Sequence, residues 1–128
     1  MTTHNALATR TMISPAQHAV LDYGVAATFI GLGMRYRDRN PEASTLAFLN
    51  GGMVLALALF TDYPGGLWRT LSFKTHRTLD IVQAALAGFG PLAFGFGRMP
   101  EAKAFYGQAV SEVGVISMTD WDAVPERG

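Results

Sequence analysis

The chain has 128 residues, the length of a single domain. Apolar residues make up 49% of it and charged residues 16%, against about 25% charged in soluble domains, so the composition favours a membrane protein. The formal net charge of zero provides no electrostatic surface for nucleic acid, and the absence of cysteine excludes disulfides and thiolate metal ligands.

Residues 1–13 are polar and are predicted to form a flexible N-terminal arm, without the apolar segment of a cleaved signal peptide. Ser14, Pro15 and Gln17 have the pattern of a helix start with a capping box. The helix predicted from this start covers residues 15–36. At 1.5 Å per residue it spans roughly 33 Å, enough for a hydrocarbon core of about 30 Å.

Three more helices are predicted downstream. Residues 43–61 are apolar on nearly every face, which is typical of a helix that is deeply buried or in lipid. A third apolar helix is predicted over 73–97, kinked by Pro91. The fourth, over 101–119, is the least hydrophobic, and residues 122–128 form a polar tail.

The sequence contains an internal repeat. Residues 14–22, SPAQHAVLD, return at an offset of 58 as residues 72–80, SFKTHRTLD. The same offset aligns residues 61–63, TDY, with residues 119–121, TDW. Each unit has the length of a helical hairpin. The predicted units are repeat 1 over 14–63 and repeat 2 over 72–121, together a four-helix membrane domain over 14–121.

Four helices with short connections predict an all-α antiparallel bundle of four transmembrane helices, made of two repeated helical hairpins. Small residues recur four positions apart in the predicted helices, a spacing that lets helix backbones approach closely in lipid. The alternative is a soluble four-helix bundle with a glycine-rich core. The cost of glycine in water-exposed helices and the shortage of charged residues disfavour it.

Four short motifs, HAVLDY, TDYPGGLWR, HRTLD and GPLAFGF, resemble the SPW-repeat family of small bacterial membrane proteins. The resemblance covers roughly residues 14–121. The chain departs from the family pattern at its most characteristic point, because Gly90-Pro91-Leu92 stands in place of Ser-Pro-Trp. The resemblance implies an integral protein of the bacterial inner membrane and implies no activity.

Ionisable residues recur at matching positions of the two repeats. His18 and Asp22 correspond to His76 and Asp80, and in each pair the four-residue spacing puts both side chains on one helix face. In an antiparallel bundle these residues and Glu112 share one half of the molecule. Ionisable groups inside a membrane are costly, so this polar intramembrane cluster is the candidate site.

Several interpretations of the cluster are open. The aspartates can form a structural clasp between the repeats, or the two histidines and two aspartates can bind a divalent metal ion. Glu112 can also act as a relay in a proton or ion route, and haem between His18 and His76 is a further alternative. We expect Glu112 to pair with one of these histidines or with Gln83. The sequence requires no cofactor, and it contains no catalytic motif.

Trp68, Trp121 and Tyr63 are predicted to anchor the bundle at the membrane–water interface. The function predicted first is that of a small multi-pass membrane protein without enzymatic activity, an accessory or structural subunit of a larger membrane complex or of a homo-oligomer. The alternatives are a small ion, proton or solute transporter using the His/Asp/Glu cluster, and a metal- or haem-binding membrane protein. The lipid bilayer is the expected partner, and nucleic acid is not.

Overall fold

The computed structural model describes residues 12–123, so most of the predicted arm and tail lies outside the described residues. The described chain forms four helices and no β-strand longer than an isolated bridge. The prediction of an all-α chain with four helices is confirmed. The helices are α1 (Pro15–Tyr36), α2 (Pro41–Phe60), α3 (Phe73–Ala93) and α4 (Ala102–Met118).

Helix starts follow the local sequence closely. The Ser14 hydroxyl accepts from the Gln17 backbone N–H (3.1 Å), and the Gln17 side chain accepts from the Ser14 N–H (3.0 Å), which completes the capping box. Asn40 and Ser72 cap α2 and α3 in the same way, each accepting the N–H three residues on. These side chains satisfy backbone donors that have no partner inside the helix.

The largest boundary error concerns the third helix, which ends at Ala93 instead of at residue 97. Pro91 lies in its last turn and provides no backbone N–H for the helix ladder. Gly95 then adopts a positive φ of 83°, a left-handed conformation that ends the helix and that glycine adopts without a Cβ penalty. Pro91 therefore precedes a helix end by two residues, where we predicted a kink within a longer helix.

The starts of α1 and α3 meet the ends of α2 and α4 at one end of the molecule, which we call the capped end because Ser14 and Ser72 lie there. Ile13 donates its N–H to the Met118 carbonyl (2.7 Å) and accepts from the Asp120 N–H (2.8 Å). Asp62 likewise donates its N–H to the Leu71 carbonyl (2.7 Å). Ile13 is thus hydrogen-bonded to the chain beyond α4, although the sequence placed it in a flexible arm.

Helix α1 packs on α2 and α3 packs on α4, with α2 and α3 joining the two pairs. At Gly51 the helix backbones come close, because a Cβ there would lie 3.0 Å from the Ile30 backbone nitrogen and 3.1 Å from the Ala26 carbonyl oxygen. The end of the bundle opposite to the capped one has an apolar core. Its large side chains are Phe29, Tyr36, Leu46, Phe96 and Phe105.

The outer surface is unusually apolar. Large side chains on all four helices are exposed, including Val20 (72% exposed), Phe89 (72%) and Val110 (74%). Of the described helices, α2 alone has the length and composition of a membrane span, and half of its most apolar segment is buried inside the bundle. Length and composition by themselves are therefore weak evidence for a membrane location.

Candidate functional site

Four ionisable side chains meet in the buried core at the capped end of the bundle. His18 and Asp22 come from α1, and His76 and Asp80 come from α3, each with at most 4% of its surface exposed. One ligand atom from each lies within 4.8 Å of the other three. We call this set the His/Asp ring. The helix-face spacing brings each pair together, and the antiparallel topology brings the two pairs together.

Contacts alternate around the ring between imidazole and carboxylate. His18 Nε2 lies 3.0 Å from Asp80 Oδ2 and 3.5 Å from Asp22 Oδ1. His76 Nε2 lies 3.1 Å from Asp22 Oδ2 and 3.1 Å from Asp80 Oδ1. Each carboxylate therefore bridges the two histidines with its two different oxygens, and the shorter carboxylate contact of His18 crosses from α1 to α3.

Each imidazole has one threonine hydroxyl at its Nδ1, on the side away from the carboxylates. Thr119 Oγ1 lies 2.9 Å from His18 Nδ1, and Thr61 Oγ1 lies 2.6 Å from His76 Nδ1. Each hydroxyl also contacts the carbonyl oxygen four residues earlier in its own helix, and a carbonyl can only accept. The single hydroxyl proton is thus already used, so both Nδ1 atoms must donate. The Nε2 atoms face the carboxylates on the other side of each imidazole.

Tyr63 belongs to the site and is not an interface anchor. It is fully buried, and its hydroxyl donates to Asp22 Oδ2 over 2.8 Å. Burial raises the pKa of the Tyr63 phenol, and the adjacent Asp22 carboxylate raises it further, so the group stays protonated and keeps donating. The prediction of an interface anchor was wrong because the turn after α2 places Tyr63 in the core at the end of the helix.

The two tryptophans behave differently from each other. Trp121 packs on His18 at 5.1 Å and on Phe73 at 4.7 Å between ring centroids, and its Nε1 donates to the Ile116 carbonyl (2.9 Å). It therefore covers the His/Asp ring. Trp68 is 56% exposed and stacks on Phe60, which leaves it available as the interface anchor that the sequence predicts.

A second polar layer lies next to the ring. Gln83 Nε2 donates to Asn50 Oδ1 (2.6 Å) and to Gln108 Oε1 (3.0 Å), which links α2, α3 and α4. Gln108 Nε2 donates in turn to Glu112 Oε2 (3.2 Å). The expected pairing of Glu112 with a histidine or with Gln83 is not found among the described contacts.

Glu112 is buried, with 6% of its surface exposed. Its Oε1 accepts no hydrogen bond from the described residues, and Asp80 is its carboxylate neighbour, to which it can bond only when one of the two carboxyl groups is protonated. Beyond the amide layer the core is filled by Phe29, Leu46 and Phe105. Among the described residues, the polar cluster around the ring and Glu112 is thus bordered by an apolar layer.

The two halves of the site differ at the repeat offset. His18, Asp22 and Thr61 have the same residue types at their counterparts, His76, Asp80 and Thr119. By contrast, Gln83 and Glu112 correspond to valines at positions 25 and 54. The ring is thus matched in the two units, while the amide layer draws its additional polar groups from the second unit.

The sequence did not assign the threonines or Tyr63 to the site. A signal for the threonines existed, because Thr61 and Thr119 follow apolar helices at the repeat offset. The offset gave no such signal for Tyr63, because its counterpart is Trp121, whose Nε1 donates to the Ile116 carbonyl.

Comparison with known protein families, curated proteins and solved structures finds no match for this chain.

Proposed function

We propose that this protein is a small integral membrane protein with four transmembrane helices in two repeated hairpins, serving as a non-catalytic structural or accessory subunit. The supporting observation is the inverted placement of polar and apolar side chains. Ionisable and amide groups fill half of the core, whereas large apolar side chains cover the outside. In water this arrangement exposes apolar surface and buries charge, both unfavourable. In lipid the apolar exterior carries no such cost.

The distribution of charge along the helices supports a bilayer around the bundle. Residues 23–34 of α1, 43–61 around α2 and 81–97 around α3 contain no Asp, Glu, Lys or Arg. In α4 the segment 104–119 contains Glu112 alone, and this side chain points into the core. These four segments lie side by side, so together they form an uncharged band around the molecule.

Length and composition identify only α2 among the described helices as a membrane span, and the sequences of α3 and α4 explain why these two do not qualify. The first two turns of α3 carry Lys74 and Arg77, both exposed at the capped end. Helix α4 has 17 residues, which is at the short end of the range for a transmembrane helix. The basic side chains suit the headgroup region, since long cationic side chains near helix ends reach the interface.

In this proposal the His/Asp ring joins the two hairpins. Its contacts between His18 and Asp80 and between His76 and Asp22 connect α1 with α3, which have few other direct contacts. Attraction between an imidazolium and a carboxylate at this distance is strong in a site without water. The ring therefore fixes the relative position of the hairpins at the capped end.

Membrane fractionation and topology mapping test the proposal. The full chain should stay with the membrane pellet after alkaline carbonate and be released by detergent. Reporter fusions after Gly65 and after the C-terminal residue should report one side of the membrane, and a fusion after Asn40 the other. A chain released by carbonate would refute the membrane location. Opposite signals at Gly65 and at the C-terminus would refute the four crossings.

A further inference from the structure

We propose that the His/Asp ring binds one divalent transition-metal ion, with His18 and His76 providing Nε2 and Asp22 and Asp80 each providing a carboxylate oxygen. Imidazole nitrogen and carboxylate oxygen are ligands that Zn²⁺ and the neighbouring divalent ions accept together. All four side chains are buried and come from two helices. Metal binding is a separate property from membrane location, so either can fail without the other.

The protonation of the imidazoles is the first argument. The hydroxyls of Thr61 and Thr119 accept from Nδ1 of His76 and His18, because each gives its own proton to a carbonyl. A neutral imidazole with Nδ1 protonated has its lone pair on Nε2. Both lone pairs then point into the ring. A hydrogen bond from the second nitrogen is the usual way in which proteins orient a metal-bound histidine.

The spacing of the ligand atoms is the second argument. Metal–ligand bonds of about 2.0–2.2 Å in a tetrahedral site put neighbouring ligand atoms roughly 3.3–3.6 Å apart. The four nitrogen–oxygen separations around the ring are 3.0, 3.1, 3.1 and 3.5 Å, each to a different carboxylate oxygen. When each residue provides one ligand atom, the four atoms lie within 4.8 Å of one another. A tetrahedral site with one oxygen from each carboxylate therefore requires side-chain shifts of up to roughly 1 Å, within the reach of side-chain rotation.

An unused nitrogen is the third argument. His76 Nε2 is buried and makes no well-aligned hydrogen bond, although a carboxylate oxygen of Asp22 and one of Asp80 lie at 3.1 Å. Buried polar atoms in folded proteins nearly always have a partner. This nitrogen is directed between the two carboxylates, where a bound cation would be its partner.

Charge balance allows one divalent ion to replace two protons in the ring. Two imidazolium ions facing two carboxylates have no net charge, and two neutral imidazoles, one dication and two carboxylates have none either. A divalent ion can thus replace two protons without leaving net charge in the buried ring. Mg²⁺ and Ca²⁺ are disfavoured, because they prefer sites built from oxygen ligands. Soft Cu⁺ is disfavoured because the His/Asp ring provides no sulfur ligand.

Metal titration of the full chain purified in mild detergent and stripped with chelator tests the proposal. We expect one Zn²⁺ per chain by elemental analysis, no comparable binding of Mg²⁺, and a higher Tm with Zn²⁺. Co²⁺ should bind at the same stoichiometry and give the visible absorption of a four-coordinate ion. Folded wild-type protein that binds less than one Zn²⁺ per chain, or that binds Mg²⁺ equally, would overturn the proposal.

Ligand variants locate the ion. His76→Gln and Asp22→Asn keep side-chain size and should abolish the stoichiometric binding. Asp38→Asn, in the exposed turn between α1 and α2, is the matched carboxylate control and should bind as the wild type does. Equal binding by His76→Gln, Asp22→Asn and the wild type would place the ion elsewhere and contradict the assignment.

A second pair of variants leaves all four ligands in place. Thr119→Val removes the acceptor of His18 Nδ1 and should weaken Zn²⁺ binding about 10–100-fold, the usual effect of losing such a partner. Thr119→Ser keeps the hydroxyl and should bind within a few-fold of the wild type. Identical affinities for the valine and serine variants would show that the threonine does not orient a metal ligand.

Discussion

The two ends of the bundle core are built on different principles. At the capped end, each imidazole Nε2 lies 3.0–3.5 Å from an oxygen of both aspartates. At the opposite end, Phe29, Leu46 and Phe105 pack without directional bonds. An apolar core accepts a replacement of similar volume, whereas a polar one depends on atom type as well as size. Substitutions that conserve volume should therefore separate the two ends.

The largest effect is expected at the capped end. Asp80→Ala removes the carboxylate that contacts both His18 Nε2 and His76 Nε2. Breaking a buried ion pair leaves an uncompensated charge, so unfolding in detergent should become easier by about 3–5 kcal/mol. Denaturant unfolding followed by circular dichroism measures the change. Asp38→Ala, in the exposed turn, is the control, and a loss for Asp80→Ala no larger than for Asp38→Ala would show that the ring contributes no stability.

A smaller effect is expected at the apolar end. Leu46→Met keeps the volume of a fully buried side chain and should lower the free energy of unfolding by less than about 1.5 kcal/mol. Asp80→Asn conserves volume equally well at the capped end but removes charge and one acceptor. The comparison is made by measuring both variants under the same denaturant conditions. A Leu46→Met protein less stable than Asp80→Asn would contradict the distinction between the two ends.

The smallest effect is expected between the two ends, at Glu112. Its Oε1 accepts no hydrogen bond from the described residues, and Asp80 is close by. Glu112→Gln keeps an acceptor for Gln108 and adds a donor beside the Asp80 carboxylate, so stability should be lost by no more than about 0.5 kcal/mol. Zn²⁺ stoichiometry should be unchanged. A folded Glu112→Gln protein without bound Zn²⁺ would make the glutamate part of the metal site.

The same contrast explains what the sequence could predict. The prediction of four helices followed from four long, mostly apolar segments and from the capping box at Ser14, which are local signals. The 58-residue offset placed the ring residues in one half of the bundle. Which carboxylate oxygen meets which imidazole depends on how two helices rotate against each other. That rotation is decided by packing between segments far apart in the chain, and no local pattern encodes it.

Errors in the prediction also have physical causes. Tyr63 was assigned to the membrane interface because aromatic residues after apolar helices commonly lie there. The turn that follows α2 instead carries it beneath the helix, where its hydroxyl finds Asp22. The third helix was predicted too long because its apolar sequence continues past Pro91. Apolar composition does not reveal where a missing N–H and a left-handed glycine end the hydrogen-bond ladder.

The contact between His18 and Thr119 has a consequence for how the protein is made. The two residues are 101 positions apart, so at ~5–20 residues per second the ribosome adds the threonine roughly 5–20 s after the histidine. Until His76 and Asp80 are added, His18 and Asp22 have only each other and Tyr63 of the first hairpin. The first hairpin can reach its final depth only when the second arrives with His76, Asp80 and the end of α4. A truncated or stalled chain therefore retains unpaired polar groups, which distinguish it from a finished one during quality control.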